Sequence, residues 1–163
     1  MLLKKYFSPV YIYHLILFFS FSVSLNNLIE FEYFNLFFYV LAHLSIIYLC
    51  LYHFHFTLYF ILFLYGIFFD IFLLNDIGPH LLVFIFFLVV ISFLKKFLFN
   101  FSSIKIFYFI IVIMFLIFLF EMIFADIILN YNFYYYKYIQ LCIIGVIIIS
   151  PVVFLFSKID KFK

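Results

Sequence analysis

Apolar residues in this chain do not alternate with polar ones. They run on in long blocks that end at short polar clusters. The blocks cover residues 10–28, 34–52, 57–74, 80–98, 104–129 and 138–157. Asn26, Asn27, Glu30 and Glu32 close the first, and the His-Phe-His of 53–55 closes the second. The third stops at Asn75, Asp76, Gly78 and Pro79, all helix breakers. Lys95 and Lys96 mark the end of the fourth, and Asn100, Ser102 and Ser103 lead into the fifth. A helix of about 20 mainly apolar residues, rising 1.5 Å per residue, crosses about 30 Å of hydrocarbon. The pattern therefore predicts an all-α membrane protein with six transmembrane helices in a single integral domain over residues 1–163. Barrel strands would alternate with period two. The unbroken IFYFIIVIMFLIFLF of 106–120 does not.

Composition strengthens this reading. Of 163 residues, 72% are hydrophobic and 10% charged, and the mean hydropathy is +1.40. Soluble domains are about half apolar and about a quarter charged, so too few polar side chains exist here to cover a water-facing surface. The 32 Phe and 15 Tyr are read as lipid-facing or helix-packing surface. A net charge of +2, scattered along the chain, argues against nucleic-acid binding. Lysines set the expected orientation, because cytoplasmic loops are enriched in them. With six spans and both termini cytoplasmic, Lys4, Lys5, Lys95, Lys96, Lys105, Lys158, Lys161 and Lys163 fall inside, and only Lys137 falls outside. The first block has a positive start but is long for a signal core and lacks an Ala-x-Ala site, so it is expected to be a retained anchor. Cys50 and Cys142 fall at opposite membrane faces, too far apart for a disulfide.

Ionisable groups within a span are costly, which makes each one a candidate. Asp70 falls in the third span and Glu121 in the fifth, with Asp126 one turn further out and His80 just past the 75–79 turn. All four belong to the outer half of the expected bilayer. His14 and His43 are further intramembrane candidates. Gly66 and Asp70, at i and i+4, share a helix face, so a neighbouring helix can approach the glycine closely beside the acid. The expectation is a polar cluster joining the third and fifth helices or receiving a partner. If hydrogen bonding outweighs charge at position 70, Asn there should be milder than Ala. His53 and His55 point apart on a helix, with no Cys or acid nearby, so no metal site is expected. No nucleophile–base arrangement, phosphate loop or HExxH motif is present, so neither catalysis nor a cofactor is expected.

The segment 66–84, GIFFDIFLLNDIGPHLLVF, resembles the central motif of the MreD family of bacterial rod shape-determining membrane proteins, with Gly66, Asp70, Gly78 and His80 matching in order and spacing. Chain length, six-span layout, the paired lysines after the fourth span, Glu121, Pro151 and a basic tail agree as well. The family carries more small residues in its third span and more Arg than this chain, where Phe, Leu, Tyr and Lys stand instead. The resemblance implies a non-catalytic protein of the bacterial inner membrane that binds MreC. It also implies a wider assembly with MreB, RodA and a class B penicillin-binding protein, serving lateral peptidoglycan synthesis. Its implied fold is similar to the S-components of energy-coupling-factor transporters. That likeness gives the alternative reading, a membrane subunit binding a vitamin or other small molecule for transport.

Overall fold

The computed structural model describes residues 9–24, 32–74, 76–98, 102–130 and 135–161. Lys4, Lys5, Asn26, Asn27, Glu30, Asn75, Asn100 and Lys163 lie outside the described residues. The described elements are six helices: α1 (Pro9–Ser24), α2 (Glu32–Tyr52), α3 (Thr57–Leu74), α4 (Pro79–Leu98), α5 (Ser103–Leu129) and α6 (Tyr135–Lys161). They fall on the six predicted blocks, with α6 longer at both ends than the 138–157 expected. Four of them, α2, α3, α5 and α6, are long and apolar enough to cross a membrane; α1 and α4 contribute shorter apolar stretches, Val10–Ser24 and Pro79–Lys95. The chain is a helical membrane protein.

Helix α2 is the centre of the bundle. Every residue from Ala42 to Cys50 is buried, and the helix packs against α1, α4, α5 and α6. A helix that is apolar all round can be covered all round. Helix α3 is peripheral and packs chiefly on α4. Its other face exposes Phe60, Phe68 and Phe72, as a lipid-facing surface requires. The C-terminus of α5 is closed by Asn130 in the left-handed region (φ 52°), whose N–H reaches the Ala125 carbonyl. Asn tolerates that conformation better than most residues.

Two ends of the bundle can be told apart. At one, here the Asp160 end, α1, α2 and α6 are held by a single carboxylate. Tyr13 and Tyr48 donate to its two oxygens at 2.8 and 2.6 Å, and His53 Nε2 stands 3.0 Å from Oδ1. This corrects the expectation that no acid lies near His53. The acid comes from the far end of the sequence, brought there by the packing of α2 on α6.

The opposite end, here the Glu32 end, is governed by the α3–α4 hairpin. A Cβ on Gly66 would sit 2.6 Å from the Leu81 Cα and 3.1 Å from its nitrogen, so the glycine is in backbone contact with α4. A Cβ on Gly78 would meet only the tips of Ile128, at 3.3 Å. The two glycines should therefore differ. Gly66→Val should cost about 3 kcal/mol, because backbone cannot yield as a side chain can. Gly78→Ala should cost less than about 1 kcal/mol. Thermal unfolding of the purified variants in one detergent reads the difference.

Candidate functional site

Helix α4 has no side chain at its own N-cap position to cap it. Gly78 accepts its first intrahelical bond, from Leu82 at 3.0 Å, so Gly78 is the N-cap residue, and Pro79 follows at the first helical position. That leaves the N–H groups of Gly78, His80 and Leu81 to be satisfied from elsewhere. Asp70, one helix back, takes all three. Oδ2 accepts from Gly78 at 2.9 Å and Leu81 at 3.0 Å, and Oδ1 accepts from His80 at 2.8 Å. The carboxylate is fully buried and faces the positive end of the α4 dipole. Gly66, Asp70, Gly78 and His80 are thus one unit: the glycine brings α4 close, and the acid caps it.

From Asp70 a chain of contacts runs inward. Asp70 Oδ1 lies 2.8 Å from His80 Nδ1, and His80 Nε2 lies 3.0 Å from the Tyr39 hydroxyl. Tyr39 donates to Glu121 Oε2 at 2.7 Å, and Glu121 Oε1 lies 2.8 Å from His43 Nε2. His43 Nδ1 closes the series on the Tyr39 backbone carbonyl at 2.8 Å. The expected junction of the third and fifth helices exists, but Asp70 and Glu121 meet only through His80 and Tyr39, so α2 and α4 are part of it.

Proton placement follows from donor and acceptor identity. A carbonyl only accepts, so His43 carries a proton on Nδ1. Asp70 already accepts three backbone N–H groups, so His80 Nδ1 donates to it. With Tyr39 donating to Glu121, His80 Nε2 must donate to Tyr39, and one further proton lies between His43 and Glu121. Five contacts hold five protons, one each. With one proton in each contact, the two imidazoles, the tyrosine and the two acids sum to zero charge. Sliding a proton along the chain moves charge within the cluster and leaves the sum at zero. A neutral, fully bonded cluster is what a low-dielectric bundle can tolerate. Around His43 the rings of Phe69, Phe84 and Phe118 close at centroid distances of 5.7, 5.4 and 5.3 Å in edge-type contacts, an apolar cage.

The cluster forms the deep end of a cleft of about 530 Å³ that opens at the Glu32 end and takes lining residues from all six helices. Leu36, Leu73, Phe118, Met122 and Leu141 make its apolar walls; Glu32 and Lys137 are exposed polar groups in its lining. Glu121 and His80 are only 4% and 5% exposed, and they meet this space beside Tyr39.

Of the residues singled out from sequence, the structure brings Asp70, His80 and Glu121 together with His43, and places Gly66 and Gly78 in their support. It does not bring in Asp126, which is exposed on α5. His14 lies half-buried in a separate apolar groove between α1 and α3. Tyr39 was missed, because nothing in its local sequence distinguishes it from the other tyrosines. Cys50 and Cys142 are free thiols. Among the described residues no three His, Cys, Asp or Glu side chains converge as a metal set would need. Comparison with protein-family models, curated proteins and solved structures finds no match.

Proposed function

We propose that this chain is a non-catalytic, six-span component of the bacterial inner membrane that binds an MreC-like protein and serves the cell-elongation complex. In this reading both termini are cytoplasmic, so the Asp160 end faces the cytoplasm and the Glu32 end the periplasm. The observation that carries the reading is the 66–80 segment. Its resemblance to the MreD motif rests on four residues, and in the fold these four act as one device that sets the α3–α4 hairpin. A motif with a physical reason for its spacing is a stronger basis for a family reading than four scattered matches. MreB, RodA and a class B penicillin-binding protein are the further members of the proposed assembly.

Co-purification in mild detergent tests it. The tagged protein should bring down MreC, and its depletion should convert rods to spheres. Recovery of an intact energising ATPase module in place of MreC would overturn the proposal.

The cleft favours a second reading, a transport subunit that binds a vitamin or other small molecule. Tight binding of a vitamin to the purified protein, with retention of such an ATPase module, would establish it.

A further inference from the structure

The cleft at the Glu32 end has a chemical bias that goes beyond either functional reading. Its polar lining includes Glu121 and His80, nearly fully buried, with Tyr39 beside them, and also Ser24 and Asn35. All five protons of the cluster are committed to contacts within it, wherever along the chain each one sits. These groups therefore have no N–H or O–H to offer an occupant. They do have acceptor capacity. Each Glu121 oxygen takes part in one contact and keeps room for another, and the Tyr39 oxygen, with one lone pair turned to His80, keeps its second. Beyond them the walls are mainly apolar, as in most small-molecule sites, with Ser24, Asn35, Glu32 and Lys137 the other polar members.

We propose that this cleft binds an amphipathic small molecule whose buried end donates hydrogen bonds and carries no negative charge, such as an alcohol, amide or amine. A carboxylate or phosphate at the same end would place acceptor against acceptor beside Glu121, in a site too dry to screen the repulsion. The apolar body lies along Leu36, Phe118 and Met122, and the open end carries Glu32 and Lys137.

Photo-crosslinking of the full-length protein in lipid nanodiscs tests this, using two diazirine-bearing alkyl probes of equal length, one ending in a hydroxyl and one in a carboxylate. Labelling of cleft peptides is normalised to the lipid-facing surface of α6 around Ile147, which corrects for partitioning into the bilayer. The alcohol should label peptides containing Leu36 and Met122 about tenfold more than the acid, the factor expected from one unsatisfied buried polar contact. Ala125→Trp fills the cleft away from the cluster and should abolish the difference. Glu121→Gln replaces a carboxylate by an amide with a spare N–H, and should bring the acid up toward the alcohol. Equal labelling by both probes in the unmodified protein, or labelling that survives Ala125→Trp, overturns the proposal; these two measurements decide it even if Glu121→Gln fails to fold. Competition by diacylglycerol supports a donor-ended ligand drawn from the bilayer, and competition by hexane-1,6-diol supports one drawn from water. Recovery of MreC is read separately, so failure here and failure of the scaffold reading are distinguishable.

Discussion

Asp70→Ala should remove most of the folded protein from the membrane, and Asp70→Asn should do almost the same. The alanine variant leaves the N–H groups of Gly78, His80 and Leu81 and the Nδ1–H of His80 without their acceptor. Hydrogen bonds to a charged group contribute about 1.5–3 kcal/mol each, and a buried donor left alone costs more than the bond was worth. These four bonds share one carboxylate and are not additive, but a loss of about 4 kcal/mol or more is the expected scale, in the range that marks a structural centre. Asparagine keeps one oxygen. Its amide nitrogen must then face donors, either Gly78 and Leu81 or the two groups of His80, and it brings no charge to the α4 N-terminus. From sequence alone, Asn is expected to be milder than Ala only if hydrogen bonding outweighs charge at position 70; two oxygens each bonded to two donors make it severe. Yield after detergent extraction and the thermal midpoint by size-exclusion chromatography check both variants. A near-normal Asp70→Asn would show that only one carboxylate oxygen matters.

What could be read from sequence and what could not divides along sequence separation. The helices were legible because each is a continuous apolar block and needs no partner to be recognised. Gly66, Asp70, Gly78 and His80 were legible because the hairpin that joins them is local, and the i, i+4 rule puts the first two on one face. Glu121 was marked by the cost of an acid in a span, but its partners were not. Tyr39 lies 82 residues from Glu121 and 41 from His80, and His43 lies 78 from Glu121. Among 15 tyrosines no local feature singles out the one whose hydroxyl joins Glu121 to His80. The clamp at Asp160 was hidden in the same way, since Tyr13 and Tyr48 reach it across 147 and 112 residues. Polar groups in a bundle find partners through the packing of helices, and the order of helices around α2 is not written in hydropathy.

The Glu121 cluster invites a test that separates stability from purpose. Glu121→Leu alone leaves His43 Nε2 and the Tyr39 hydroxyl facing hydrocarbon and strands charge in the core. Breaking one partner of a buried ion pair typically costs about 3–5 kcal/mol, and a loss of that size is expected. Removing all three of its members on α2 and α5 is different. In the combined variant Tyr39→Phe, His43→Leu, Glu121→Leu, the polar groups around Phe118 are gone, and His80, still against Phe69 and Phe84, keeps its contact with Asp70 but loses its Nε2 partner. Replacing buried ionic partners together by apolar residues of similar size is often neutral or stabilising, so the triple variant should recover much of the stability lost by Glu121→Leu, less the cost of the freed His80 Nε2. The difference between the single and triple variants measures the coupling within the network. Under the proposed scaffold role, a triple variant that folds well but fails to support rod shape would assign the cluster to what happens at the base of the cleft. Under the same role, one that folds well and supports rod shape fully would leave His43, Tyr39 and Glu121 only holding α2 against α5.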